Sequence, residues 1–377
     1  MSDKVRVAVA GFGIGEKAAR AALRSDVAEL VAVCDADPAK GKDLVKLVTD
    51  EESEAKPMFA TGETAFGDLM KWGEFDALVV ALPNYLHRGV VEAALAAGKH
   101  VLCEKPLSNT YEDALAMTEA AAEHSNLVAA MTMNNLARPE FAIIQEVLLP
   151  QIGDIQFVEG EWTRRQGYPF RGRWFSDKSK SGGGPVMDLG PHILGLVFAL
   201  CDWPGNIGVK QGYTWCSDSV ADGAWDGPYG GGATGPGICD VESAALSLIE
   251  VGGVPCNIKV AWGMPTYREY MGVEIIGSKG SVHFTRSWPI NDGDDEKSRD
   301  ALTAALMVRG PGGKYLTQDL IINPDDCPGW QDPWMGRLAY AERFFKAVSG
   351  DDSADLIGFE RALQIQEAIR DWYTRAG

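Results

Sequence analysis

Histidine is scarce in this chain, with five in 377 residues, at 87, 100, 124, 192 and 283. That dispersion gives no metal-binding cluster. Cysteine is sparse too. Seven are scattered at 34, 103, 201, 216, 239, 256 and 327, an odd number without a Cys-x-x-Cys pair, so neither a disulfide framework nor a zinc site is indicated. Basic residues fall short of acidic ones, 35 against 53, and the formal charge of −18 opposes nucleic acid and anionic membranes. The excess charge serves solubility, and a neutral or cationic small substrate suits it better than a polyanion. No apolar run is long enough to span a bilayer, and Met1-Ser-Asp-Lys-Val lacks a signal peptide's apolar core. The expectation is a cytoplasmic globular protein.

The length favours two domains. Val5 to Gly11 is a short apolar run, Gly11-Phe12-Gly13-Ile14-Gly15 follows, and Glu16 to Arg24 is helix-like. A second apolar run, Glu29 to Asp35, ends in an acid about 20 residues past the glycines, as a dinucleotide-binding unit requires. Glycines there let backbone N–H groups approach a pyrophosphate at a helix N-terminus. Asp35 would accept from ribose hydroxyls, and with Asp37 it would repel a 2′-phosphate. NAD is therefore expected over NADP, with Lys40 close enough in sequence to soften the preference. The third glycine falls at Gly15, and Glu16 takes the usual sixth position. Taken alone, the run reads equally as a tight strand–helix turn.

Strand-like runs continue at 77–82, 100–103 and 127–131, separated by helical stretches near 86–98 and 108–124. Repeated β-α units predict a doubly wound parallel sheet over residues 1–135, a Rossmann domain. Ligands of such sheets sit outside the carboxyl ends of the strands. Run 77–82 ends in Pro83-Asn84-Tyr85-Leu86-His87, and run 100–103 ends in Glu104-Lys105-Pro106. Lys105 reads either as a point charge for a substrate oxygen or as the partner of Glu104 in a surface ion pair.

After about residue 135 the pattern changes. Runs 155–164, 209–216, 241–251, 255–262, 271–276 and 281–286 are strand-like in succession, which suggests an antiparallel sheet. Helical periods appear near 186–200, 336–349 and 357–374. The first of these opens with Ser181-Gly-Gly-Gly-Pro-Val-Met-Asp188-Leu-Gly-Pro-His192. On one helix, positions 188 and 192 share a face, which suits proton transfer through the imidazole. The competing reading is a helix cap by Asp188 and a packed His192.

Gly-x-Gly, Pro-Asn-x-x-His, Glu-Lys-Pro and Gly-Gly-Gly-x-x-x-Asp-x-Gly-x-His occur here in one fixed order. Together they resemble the Gfo/Idh/MocA oxidoreductases, the family of glucose–fructose oxidoreductase and inositol dehydrogenases. The likeness continues through Trp162-Thr-Arg-Arg165 and Ile275 to Ser281. It implies a Rossmann domain followed, over 136–377, by an α/β domain on a large open, mostly antiparallel sheet. The C-terminal helix is a candidate to pack back on the first domain. It also implies a homo-dimer or homo-tetramer through that sheet.

Carried over by position, Lys105, Asp188 and His192 match the family's catalytic residues. Asn84 and His87 match the nicotinamide side, and Trp162 and Arg164 match a segment that approaches cofactor or substrate. The expected cofactor set is Gly11, Phe12, Gly13, Ile14, Gly15, Asp35, Leu82, Pro83, Asn84, His87, Glu104, Lys105, Trp162 and Arg164. The expected substrate set is Lys105, Asn134, Asp188 and His192, with no metal. The chain departs from the pattern at the glycine turn, at Met133 to Pro139 (Leu136 stands where relatives carry arginine), and over Ser217 to Gly237. That last stretch holds Trp225 and Tyr229, which could stack on a sugar, secure the loop or meet another subunit.

The implied activity is NAD(P)-dependent hydride transfer to or from a secondary alcohol of a sugar or cyclic polyol (inositol, aldose or anhydrosugar). Two other readings stay open. One is an NAD-dependent glycosidase working through transient oxidation. The other is a non-catalytic NAD- and sugar-binding regulator, against which the joint presence of Lys105, Asp188 and His192 argues.

Overall fold

A computed structural model describes residues 4–164, 172–216, 226–227, 230–231, 237–264, 270–287, 302–322 and 335–377, except 352. Arg165, Trp225 and Tyr229 lie outside the described residues. The chain divides into two compact units. One is Met1–Ala137 with Trp334–Leu363, and the other is Arg138–Pro333 with Gln364–Gly377.

In the first unit six parallel strands are β1 (Val5–Ala10), β2 (Ala28–Asp35), β3 (Met58–Thr61), β4 (Ala77–Val80), β5 (His100–Cys103) and β6 (Ala129–Met131). Their order is β6-β5-β4-β1-β2-β3, with Ile357–Gly358 added antiparallel beside β6. This is the doubly wound dinucleotide-binding order. β1 and β4 are nearly wholly buried (Val7 to Ala10, Ala77 to Val80), as strands covered by helices on both faces must be. The register keeps their ends level: Ala10 pairs with Cys34 and Val80, Val80 with Cys103, and Cys103 with Met131. Gly11, Asp35, Glu104 and Asn134 therefore all follow or finish a strand at the same edge.

Helix Met335–Val348, placed by the sequence pattern in the second domain, clusters with the first unit. The reason is packing. Tyr340, Phe344 and Phe345 are fully buried, and the Tyr340 hydroxyl accepts from the amide of Ile357, 2.8 Å.

The second unit is built on an eight-stranded sheet. Its order is Tyr315–Ile322, Leu302–Arg309, Gly280–Ser287, Tyr270–Gly277, Ile155–Thr163, Val254–Ala261, Ala244–Val251 and Ile207–Trp215. Every neighbouring pair is antiparallel except Val254–Ala261 on Ile155–Thr163, which is parallel. Helix Gly190–Leu200 is buried along its whole length against this sheet, as an all-round apolar helix must be. A Cβ on Gly160 would come within 2.6 Å of Ile193 Cγ2, so glycine in the strand lets the helix close on it. Among the described residues no single helix is long and apolar enough to cross a membrane.

Candidate active site

The glycine turn in the first unit divides its labour. Gly11 has φ +90°, and a Cβ there would overlap the carbonyl oxygen of Ala81. A Cβ on Gly15 would overlap the carbonyl oxygen of Gly11 and stand 2.8 Å from Val9 Cγ1. Gly15 thus performs the close helix–strand packing usually left to a glycine one position later. Gly13 is different: nothing lies within 4 Å of a Cβ built there. That open position is the approach a pyrophosphate needs. Asp35 finishes β2, and its Oδ2 accepts from the Phe12 amide at 2.7 Å while Oδ1 accepts from the Asp37 amide at 2.9 Å. The carboxylate is therefore fixed beside the turn, and these residues fit a dinucleotide. The Phe12 side chain is core, whereas Ile14 is exposed. Lys40 pairs with Asp43 at 2.8 Å.

At the ends of β4 and β5, Leu82 and Pro83 are half-buried, and Asn84 is buried. His87 is fully buried. Its Nε2 lies 2.8 Å from the Leu82 carbonyl oxygen, and its Nδ1 lies 3.1 Å from those of Pro106 and Leu107. Burial holds the imidazole below its usual range, against the pull of those carbonyls and of Glu104. His87, matched by sequence to the nicotinamide side, also sits between two backbone loops. Glu104 Oε1 takes Arg337 Nη1 at 2.6 Å, and its Oε2 accepts from the Lys105 backbone amide at 3.2 Å. Both oxygens of Glu104 thus have partners of their own. The Lys105–Pro106 peptide is cis. Past β6, Asn134 Nδ2 donates to Asn135 Oδ1 at 3.5 Å.

In the second unit the expected single helix breaks. Pro185–Asp188 and Gly190–Leu200 are separate helices, and segment Lys178–Asp188 meets Gly190–Leu200 at a bend of 46°. Leu189 stands between them with right-handed helical backbone (φ −92°, ψ −31°), and its carbonyl accepts from the His192 and Ile193 amides at 3.2 and 3.3 Å. The glycine and proline just after Asp188 favour that break.

Aromatic residues contact the two side chains. Trp262 Nε1 donates to Asp188 Oδ2 at 3.2 Å, and the His192 ring lies 5.2 Å from that of Trp162. Trp162 pairs with Val260 in the parallel ladder, and Trp262 follows that ladder's end, so both tryptophans serve one end of the sheet. Arg164 stacks over Trp162 at 4.6 Å, and Phe175 lies against Trp262 at 5.6 Å. Asp188 is half-buried and His192 buried. An acid and an imidazole so placed can move a proton.

Behind them sits a group that sequence reasoning missed. Glu242 is buried, and its Oε2 accepts from Gly184 N at 3.0 Å. Its Oε1 accepts from Val186 N at 3.2 Å and from the Tyr373 hydroxyl at 2.7 Å. Burial pushes the Glu242 carboxyl and the Tyr373 phenol up. A Cβ on Gly183 would overlap the Tyr373 hydroxyl, and one on Gly184 the Glu242 carbonyl oxygen. Arg337 and Tyr373 left no local signal, since they act 233 and 131 positions from their partners.

Comparison with known proteins agrees with this fold. Residues 5–132 match the oxidoreductase family with an NAD-binding Rossmann fold, and residues 150–283 match the GFO/IDH/MocA C-terminal domain. A protein of Amycolatopsis mediterranei, named as a UDP-kanosamine synthase oxidoreductase subunit, is 33% identical over 286 residues, 74% of each chain. Levoglucosan dehydrogenase of Pseudarthrobacter phenanthrenivorans is 28% identical over 311 residues, 77% of this chain and 76% of that one. A solved levoglucosan dehydrogenase in complex with NADH superposes with a TM-score of 0.76 over 99% of this chain and 97% of that one. At 19% identity that likeness concerns the fold alone. The chain belongs to the Gfo/Idh/MocA family of NAD(P)-dependent oxidoreductases.

Proposed function

We propose that the protein oxidises a secondary alcohol of a sugar or cyclic polyol. Bound NAD supplies the hydride acceptor. His192 takes the hydroxyl proton, a role worth about 10²–10⁴-fold. Lys105 donates to the same oxygen and stabilises the charge developing there. Asp188, held by Trp262, grips a neighbouring hydroxyl or orients the imidazole.

The observation that carries this reading is the level edge of the first sheet. It sets the open Gly13 turn and Lys105 at the carboxyl ends of strands β1 and β5, where a doubly wound fold binds its ligand. Asp35 and Asp37 favour NAD over NADP, and pairing of Lys40 with Asp43 draws that cation away from a 2′-phosphate.

The test is reduction of NAD and of NADP with inositols, aldoses and anhydrosugars, repeated with Lys105→Ala. Turnover should vanish in the variant while NAD binding persists. Undiminished turnover would refute the assignment. Aglycone release without net NADH would favour the glycosidase, and NAD binding without turnover on any sugar would favour the regulator.

A homo-dimer or homo-tetramer through the second unit's sheet is part of the same proposal. Exposed Tyr213, Trp215, Leu248, Ile276, Tyr315 and Leu316 on its strands support it, and light scattering in solution checks it. A cytoplasmic location is supported by the free thiols of Cys34, Cys103, Cys201, Cys216 and Cys256.

A further inference from the structure

We propose that His87 is a positioning residue for Lys105 and forms, with the Arg337–Glu104 pair, a two-armed clamp on the chain to either side of the lysine. The inference rests on Lys105 being the residue that holds the substrate oxygen.

A buried histidine packed only by apolar neighbours would be an ordinary core residue. His87 is fully buried, yet both its ring nitrogens face backbone carbonyls from two different loops. Leu82 lies on the loop after β4, 2.8 Å from Nε2. Pro106 and Leu107 follow Lys105 directly on the loop after β5, each 3.1 Å from Nδ1. A neutral ring donates through one nitrogen. Either tautomer therefore bonds one loop and stays in contact with the other, and the ring fixes their separation.

The second arm acts on the preceding residue. Glu104 accepts from the Lys105 amide at 3.2 Å and from Arg337 at 2.6 Å. The side chains of Arg337 and Glu104 are only 17% and 13% exposed. Removing either takes a charged partner from a part-buried group. Lys105 is thus held through its own amide on one side and through the carbonyls of Pro106 and Leu107 on the other. A flexible four-carbon side chain gains aim from such a base. A displacement of about 1 Å at a reacting group can cost about 10²-fold in rate.

The test compares wild-type protein with Lys105→Ala, His87→Leu, His87→Gln, Arg337→Met and Arg337→Lys. Steady-state turnover is measured with NAD and levoglucosan, D-glucose, D-xylose and myo-inositol. NAD affinity and melting temperature are measured beside it. Reductive methylation of Lys105 relative to Lys99, followed by mass spectrometry without NAD, reads the lysine independently of turnover.

His87→Leu and Arg337→Met should lower kcat by about 10²-fold, leave NAD affinity unchanged and alter the methylation rate at Lys105. His87→Gln and Arg337→Lys, each keeping a donor, should recover part of the loss. If the apolar variants do not fold, these two conservative variants carry the test. A lowered melting temperature with wild-type kcat and methylation rate would overturn the clamp. So would a glutamine variant no better than leucine. An inert Lys105→Ala beside fully active His87 and Arg337 variants overturns the clamp and spares the function. Undiminished turnover in Lys105→Ala, or silence of the wild type on all four alcohols, overturns both.

Discussion

Two glycine runs precede helices in this chain, and they do opposite things. Around Gly13 the space beside the backbone is open, while around Gly183 and Gly184 it is filled by Tyr373 and Glu242. In the first run Gly13 makes room for a ligand, although Gly11 and Gly15 beside it meet the protein. The second makes room for the protein itself, so that a buried carboxylate can fix the segment leading to Asp188 and His192. Glycine count therefore does not locate a binding site. What occupies the missing Cβ position does.

The sharpest way to break this contrast is Gly184→Ala. Its methyl group would collide with the Glu242 carbonyl, costing about 3 kcal/mol of stability as an overpacked backbone contact. Thermal unfolding reads it, and an unshifted melting temperature would erase the distinction. Gly13→Ala should do the reverse, because its Cβ meets nothing. Stability should hold, while NAD binding weakens by about thirtyfold, or about 2 kcal/mol; titration calorimetry separates the two.

Trp262→Phe removes the indole donor from Asp188. A hydrogen bond to a charged group is worth about 1.5–3 kcal/mol, so kcat should fall by about tenfold with NAD affinity kept. A full rate in that variant would mean that Asp188 needs no support.

The smallest effect is a pH slope. Burial holds the Glu242 carboxyl above its usual 4.5, although Tyr373 and the amides of Gly184 and Val186 pull it down. The folded protein keeps that proton to higher pH than the unfolded chain does. The stability tied to it is present at low pH and is lost as pH rises from the unfolded value through the raised one. Glu242→Gln should flatten that slope, at a cost of about 1 kcal/mol for the altered bonds. Melting temperatures from pH 4 upward check it, and parallel curves would discount the carboxyl.

The first unit was the more legible half. Its strands are short apolar runs closed by Gly11, Asp35 and Glu104, and each closing residue sits where a parallel sheet exposes its ends. The second unit was read in part. Six of its strands follow from pattern, but Leu302–Arg309 carries helix-forming Ala, Leu and Met, and Tyr315–Ile322 is exposed along its described side chains. The 188/192 pair was read on one helix, which the structure interrupts at Leu189. Its residues were legible, while the geometry that joins them to Trp262 and Trp162 depends on strands some 30 to 70 positions away and had no local signature. His87 stood out in the sequence for its neighbourhood, and its role could be seen only once the carbonyls of Leu82, Pro106 and Leu107 were in place.

Arg337 and Tyr373 carry a consequence for the order in which the protein is made. A chain emerging from the ribosome presents Lys105, Asp188 and His192 well before either of them. All three motif residues are then present, yet Glu104 lacks its cation and Glu242 lacks its phenol. Translation supplies these supports after the reactive groups, so a nascent chain acquires their settled arrangement only once Arg337 and Tyr373 have left the tunnel.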